Sequence, residues 1–371
     1  MAQTRRAFLL RAAVLTGGAL TGWAAPARTG TAAARRAAVG FFAARQSPDG
    51  AWRSAQYGAL RDGDALAPLV LWALADAAAE PVARGMRWLE KLTDTASARA
   101  EPWAELRYPL FTASHAAQVF ATAGDARRAA FWADVVERLR IAEPLGWPAS
   151  AAACGAWSDA AAPPRLAPGE WPPPDMLAPN ISATRLALQA LVATGRRARA
   201  AAARTFLAQC QNFASAPGDT LDDGGFFFTT GDPIRNKAGT AGRGRYRSYG
   251  SATCDGLLAL AACGAAADDP RLRAALAWLR RHAAGAQHSG TWAADRADDR
   301  ESLRYYHAQA CAAVLATLPP AQDAWAGAQR RALTADLLAA QSPDGSWAGA
   351  RPHSFEDEPL VATAFALRAL A

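Results

Sequence analysis

The sequence predicts an all-α fold, a single (α/α)6 toroid in which six helical hairpins make an inner and an outer ring. Three observations predict it. The 371 residues are 51% hydrophobic with 13 Trp, enough to bury a sizeable core, and most of the apolar content is Ala and Leu in helix-length runs. A turn segment recurs, Phe42-Ala-Ala-Arg-Gln46-Ser-Pro-Asp-Gly-Ala-Trp52 and Leu338-Ala-Ala-Gln341-Ser-Pro-Asp-Gly-Ser-Trp347, with a degenerate copy at Phe206-Leu-Ala-Gln209-Cys-Gln-Asn212 leading to Asp222-Asp-Gly-Gly-Phe226-Phe-Phe228. Between these turns two kinds of helical segment alternate, one polar on one face and one apolar all round.

The arginine-bearing segments are 33–46, 82–92, 125–140, 197–211, 270–283 and 324–341, and the small apolar ones are 65–76, 113–123, 182–194, 251–263, 305–318 and 359–371. A helix polar on one side lies outside and one apolar all round is enclosed, so the second set forms the inner ring. An open solenoid fits the same pattern, and the count of six hairpins favours closure. In each turn the Gln ends a helix, Pro-Asp-Gly turns the chain through a conformation cheap only for Gly, and Trp folds back over the helix ends. Residues 144–179 have no helical period, carry Pro144, Pro148, Pro163, Pro164, Pro168 and Pro172–Pro174 with Trp147, Trp157 and Trp171, and are too long for an ordinary connection. They are expected to fold over the same mouth as the Asp222–Tyr249 loop.

The Gln-x-x-Asp-Gly-x-Trp turns, the Asp-Gly-Gly-Phe loop and Ser182-Ala-Thr-Arg-Leu-Ala-Leu-Gln-Ala-Leu191 resemble the repeats of the squalene-hopene cyclase and protein prenyltransferase β-subunit superfamily, across residues 33–371. The resemblance implies an α/α toroid with an isoprenoid-like ligand in a central cavity. It does not carry over every family motif. For the Asp-x-Asp-Asp-Thr-Ala acid of the cyclases, the nearest strings are Asp62-Gly-Asp64-Ala-Leu-Ala and Glu356-Asp357-Glu358-Pro-Leu-Val-Ala-Thr. For the prenyltransferase zinc site, alignment on Gly256-Leu-Leu-Ala-Leu260 sets Arg247 and Tyr249 where Asp and Cys ligands stand, and only the His remains, in Tyr306-His307-Ala308. No metal and no cofactor are therefore expected.

Helix dipoles favour acidic or anionic groups at the inner N-termini. The candidates for acid/base work are Asp255 and Asp357, with Tyr306 and His307 orienting the substrate; each Asp has an N-cap as its plain structural alternative. Ligand contacts are assigned to Asp223, Phe226, Arg247, Tyr249, Trp292 and Tyr305, where aromatic faces combine with cations able to hold a phosphate or carboxylate. Phe226 also suits a core plug, and Arg247 a surface cation.

The chain opens Thr4-Arg5-Arg6-Ala7-Phe8-Leu9-Leu10, an arginine pair before an apolar run to about Ala25, with Ala25-Pro26-Ala27 as a small-residue cleavage site. Residues 1–27 thus resemble a twin-arginine signal, which implies export to the periplasm or the cell exterior and a mature chain without a membrane span. Loss of Arg5, Arg6 and Arg11 takes the formal charge from +7 to +4. Lys91 and Lys237 are the only lysines and the arginines form no basic run, which argues against nucleic acid as a partner. Cys154, Cys210, Cys254, Cys263 and Cys311 form no CxxC, and core thiols are the expected role. These features describe an exported repeat protein that takes an apolar or lipid-like small molecule, with catalysis open at the inner-helix mouth. A non-catalytic toroid scaffold or binding module and a polysaccharide-active toroid enzyme remain the alternatives.

Overall fold

The computed structural model describes residues 25–77, 80–148, 150–169, 176–213, 221–242, 244–318 and 323–371. The arginine pair and its apolar run lie outside the described residues, as do Trp171 and Pro172–Pro174 of the long loop. In chain order the helices are α1 (Ala25–Arg45), α2 (Leu66–Ala73), α3 (Glu80–Ser97), α4 (Pro109–Thr122), α5 (Ala126–Arg138), α6 (Ile181–Ala193), α7 (Arg204–Gln209), α8 (Gly250–Ala262), α9 (Pro270–His282), α10 (Ala297–Glu301), α11 (Arg304–Thr317), α12 (Ala324–Ala340) and α13 (Pro359–Ala369). One antiparallel hairpin, β1 (Thr240–Gly242) with β2 (Arg245–Tyr246), is the only sheet among the described residues. The predicted segments and the observed helices agree along the chain. The fourth outer segment differs, since residues Arg197–Ala203 wind as a 3-10 helix before α7.

The described chain forms two compact units. The end unit comprises the residues up to Thr95, Ala283–His288 and Asp298–Ala371, and the middle unit comprises Ala96–His282 and Ser289–Ala297. In the end unit α13 packs between α11 and α2, while α1 and α12 lie against one another and flank them. In the middle unit α6 packs between α4 and α8, with α5 against α4 and α9 against α8. The central helices are buried nearly all round: every residue of α2 is buried, and α8 leaves only Leu258 partly exposed. The flanking helices bury one stripe each, as Ala129, Trp132, Ala133, Val135 and Val136 do on α5.

The corners follow one rule. Trp52 Nε1 donates to Phe42 O and Trp347 Nε1 to Leu337 O, both at 2.8 Å, so each indole pins the last turn of the helix before it. Gln46 Nε2 bridges Gly50 O and Pro81 O, and Gln341 Nε2 bridges Gly345 O and Ala34 O, tying each turn to another outer helix. At the degenerate copy this bridge is made by Gln211, to Gly224 O and Arg271 O, rather than by Gln209, which is the last residue of α7. A further corner lies within the long loop, where Trp157 Nε1 donates to Val136 O at 2.7 Å. The glycines are strict at Gly50 and Gly345, with φ of 101° and 89°: a Cβ there would stand 2.5 Å from Arg84 O and 2.3 Å from Ala37 O.

An inner-helix threonine completes the corner. Trp157 N, Phe226 N and Trp347 N donate to Thr184, Thr253 and Thr363 Oγ1 at 3.2, 3.0 and 3.0 Å. This explains the Thr of the Ser-x-Thr pattern on α6 and α8: it satisfies a main-chain amide that the aromatic would otherwise bury unpaired. The long loop has its own small core of Ile141, Trp147, Ala153 and Leu166. It meets the loop after Asp222 through Thr229 Oγ1 to Pro179 O at 2.6 Å and through Arg235, which pairs with Asp159 at 2.8 Å.

Candidate functional site

In the end unit the acids of Glu356-Asp357-Glu358 lie at the N-terminal ends of α11 and α13 and meet the segment of Ser54, Gln56 and Tyr57. Glu358 caps its own helix, accepting from Leu360 N at 3.2 Å, and also accepts from the Ser54 hydroxyl. Asp357 accepts from Tyr57 Oη at 2.6 Å and from Gln56 Nε2 at 2.5 Å. Desolvation and the neighbouring Asp357 carboxylate push the Tyr57 phenol up to about 12, so its proton stays in that hydrogen bond. The Tyr57 ring stands edge-on to Phe355 at 4.7 Å, and Phe355 is the one non-Gly residue with positive φ among the described residues, at 59°. A left-handed phenylalanine is held there against its own preference, which marks the segment as fixed from both sides.

Glu356 is fully buried, and the sequence names it only within the string nearest to the cyclase acid, without a role of its own. Its two oxygens accept from Tyr305 N at 2.8 Å and Tyr306 N at 2.6 Å, capping α11 from a segment 50 residues away. Burial pushes its carboxyl up to about 8, against the pull of these two amides, so it holds a proton at neutral pH. Sequence alone offers no signal for this, because the helix it caps is remote in the chain.

Tyr306 is half-buried on α11 and its ring meets Phe365 of α13 in a T-shaped contact at 5.3 Å. Tyr305, by contrast, is 2% exposed and directs its hydroxyl to Ala348 O at 3.4 Å. His307 is fully buried and stacks on His288, ring centroids 4.6 Å apart. Burial and the nearby Arg300 push its imidazole down to about 4, leaving it neutral at physiological pH. Asp357, Tyr305, Tyr306 and His307 thus lie around one end of α11 and α13, with Tyr306 and Asp357 reaching partly exposed surface and Tyr305 and His307 enclosed.

In the middle unit Asp255 of α8 is fully buried. Ser182 Oγ of α6 donates to its Oδ2 at 2.7 Å, and Arg185 Nε of α6, 3% exposed at the side chain, lies 3.7 Å from its Oδ1. Ser182 itself is half-buried, as are Gln189, two turns further along α6, and Val192 in its last turn. Phe111 and Gln118 of α4 have the same seven-residue spacing. On the central helices of this unit Phe111, Gln118, Ser182, Gln189 and Leu258 are partly exposed.

The remaining sequence candidates build the loop before α8. Asp223 Oδ1 accepts from Gly225 N and Ser248 Oγ, and its Oδ2 accepts from Trp278 Nε1 at 2.9 Å, so all its acceptors serve the turn. Phe226 is fully buried against α8, where a Cβ at Gly256 would stand 2.5 Å from its ring. Tyr249, 1% exposed, precedes α8 and packs on the partly exposed Trp292 at 5.3 Å. Arg247 follows the hairpin and is partly exposed, its Nε donating to Thr240 O at 3.0 Å. Among these residues the structure brings Tyr249 to Trp292 and Asp223 to the Phe226 turn. Among the described residues no group of three or more His, Cys, Asp or Glu side chains is placed to hold a metal ion, and no helix is long and apolar enough to cross a membrane. Cys210 and Cys263 are buried, and burial pushes both thiols up, the second to about 12.

No protein-family model matches the chain, and no curated protein matches it. Solved structures do. The type II terpene cyclase MstE from Scytonema, in a variant bound to its substrate geranylgeranyl dihydroxybenzoate, is 17% identical over 93% of this chain and 97% of that one, with a TM-score of 0.57. The same enzyme bound to its product merosterolic acid A gives 18% identity, the same coverage and a TM-score of 0.56. A glycosidase in complex with glucose is 15% identical over 94% of this chain and 98% of that one, with a TM-score of 0.53. At these identities the likeness establishes the fold, which is the all-α toroid these enzymes share, and leaves the chemistry to the residues of this chain.

Proposed function

We propose that this chain is an exported terpene-cyclase-like toroid that binds an apolar, isoprenoid-like ligand against the exposed faces of its inner helices. The Tyr306–Phe365 pair carries the reading: two half-buried rings on neighbouring central helices present a joined aromatic surface, the kind that holds a polyene chain and faces positive charge developing on carbon. Proton transfer is assigned to Asp357, which is partly exposed beside that pair's helix and accepts the Tyr57 hydroxyl's hydrogen bond. The bound prenyl compounds of the similar cyclase support the ligand class.

The test is direct. Lipid extracted from the purified exported protein and analysed by mass spectrometry should contain an isoprenoid, and geranylgeraniol should quench tryptophan fluorescence saturably. Tyr306→Ala with Phe365→Ala should weaken that binding about tenfold or more. Protein that neither carries nor binds prenyl compounds rejects the reading. A carbohydrate-active alternative has one observation in its favour, the partly exposed amides and hydroxyl of Gln118, Ser182 and Gln189 on the central helices; saturable binding of glucose oligosaccharides with no prenyl binding selects it.

A further inference from the structure

Two large apolar side chains are exposed among the described residues, Ile234 at 78% and Met176 at 55%, and both belong to the middle unit. One exposed apolar residue is ordinary, but these two stand on either side of a single junction. Arg235, the residue after Ile234, donates to Ala178 O at 3.4 Å, two positions after Met176, and pairs with Asp159 at 2.8 Å. Ile234 is held outward by its own turn. Asp232 Oδ1 accepts from Ile234 N at 2.8 Å and Arg235 N at 3.0 Å, and Asn236 Nδ2 closes the loop on Thr229 O and Asp232 O at 2.7 and 2.6 Å. A turn bonded in this way displays its isoleucine to the outside rather than letting it fold back.

The same loop carries the charge of the chain. Of the formal net charge of +7, residues 1–27 hold +3 and residues 229–247 hold +4, with Arg235, Lys237, Arg243, Arg245 and Arg247 against Asp232, so the remainder is neutral. Arg235 and Arg245 are matched by Asp159 and Asp222. Arg247 is partly exposed and meets a main-chain carbonyl but no carboxylate among the described residues, and Lys237 is likewise partly exposed. Tyr246 lies on the Phe227 ring at 5.3 Å, and burial and the neighbouring Asp232 push its phenol up. Asp232 thus ties the turn of Ile234 to the hairpin, so that the apolar tip and the cations adjoin.

We propose that Ile234 and Met176, with the cations of residues 235–247, dock the protein on an anionic phospholipid surface. The two apolar side chains enter the acyl boundary, the cations meet lipid phosphates, and Tyr246 stands at headgroup level. Separate apolar tips on irregular loops offer no groove or broad patch for a protein face of ordinary size, whereas a fluid lipid interface accepts them as they stand. Docking goes beyond the prenyl reading and does not depend on it, although a bilayer is where an apolar ligand of that class resides.

Co-sedimentation of the full chain with vesicles tests this, phosphatidylcholine alone against phosphatidylcholine mixed with phosphatidylglycerol. The mixed vesicles should bind about tenfold more tightly, and the advantage should shrink at high salt. Ile234→Asp should weaken that binding about tenfold or more with an unchanged thermal melt, because the residue is exposed, and Ile234→Trp should retain it. Lys237→Gln with Arg247→Gln should bring the mixed vesicles down to the neutral ones. The apolar run after Arg5-Arg6 is present in every variant, so binding carried by that run survives all of these substitutions. That outcome, equal binding to both kinds of vesicle, or binding to neither overturns the docking face and leaves the prenyl reading to its own test.

Discussion

In the end unit, Trp52 and Trp347 sit on identical Ser-Pro-Asp-Gly turns, and the buried acids around them cap helices. In the middle unit, Trp157 and Phe226 hold the corresponding corners behind long irregular segments, and the buried acid Asp255 is matched by an arginine. The difference separates two duties that buried polar groups perform. Glu356 and Glu358 satisfy main-chain amides at helix starts, so removing them loosens a terminus. Asp255 accepts from the Ser182 hydroxyl and faces Arg185, so its contacts tie the side chains of two central helices together.

The largest expected effect breaks that contrast at its charged pole. Arg185→Met leaves Asp255 buried without its cation and should lower stability by about 3–5 kcal/mol in urea denaturation, whereas Arg185→Met with Asp255→Leu should recover most of the loss. If the double substitution is as unstable as the single one, the pair is structural after all. Next come the corners. Trp347→Ala and Phe226→Ala each remove a fully buried ring and should each cost about 3 kcal/mol or more, because neither site has room to collapse onto. Similar losses establish the two corners as equivalent; a mild Phe226→Ala would show that the middle unit relies on its loops instead. Thr363→Val and Thr253→Val strip the hydroxyl from a buried amide in either unit and should cost about 1–3 kcal/mol each.

The smallest effect concerns pH and belongs to the end unit alone. Glu356 is raised to about 8 in the folded chain, so its stabilising proton is fully bound below the ordinary glutamate range and is lost as pH rises toward 8. His307 is depressed to about 4, so its contribution is present above about 6.5 and is lost as pH falls toward 4. The two slopes oppose one another at acid pH, and only that of Glu356 remains between about 6.5 and 8. Thermal melts across that window should show the native protein losing stability and Glu356→Gln staying flat; a native protein that is itself flat there argues for Glu356 as a settled carboxylate.

Much of the fold is legible in the residues because the two kinds of helix differ in composition. An all-apolar run such as Leu66–Ala73 has no side that tolerates water, and α5 has one, so inner and outer follow from the alternation alone. The third corner is harder to read. Gln209 and Gln211 are both candidates by spacing, and only the path of the chain to Arg271 selects Gln211. The corner at Trp157 is hidden by an irregular segment that has a small core of its own. Of the site, single residues are legible and their company is not. Asp255 is conspicuous in an apolar helix, but its partners Ser182 and Arg185 lie 73 and 70 positions earlier. Asp223 and Phe226 attract attention as an acidic and aromatic loop, although hydrogen bonds to Ser248 and Trp278 commit the first to the turn and α8 encloses the second.

The Gln341 bridge to Ala34 has a consequence for synthesis. It joins α12 to α1, and Arg35 reaches Leu370 O at 3.2 Å, so the end unit is assembled from segments more than 300 residues apart in sequence. A ribosome releases the middle unit whole while α1–α3 still wait for α11–α13. The exposed partner-less faces of α1 and α2 are thus the stretch of nascent chain that a chaperone has most time to find. A circular permutant that joins Ala371 to Ala25 through a short linker and opens between α3 and α4 would remove the wait, and should regain its fold faster in pulse-refolding from urea.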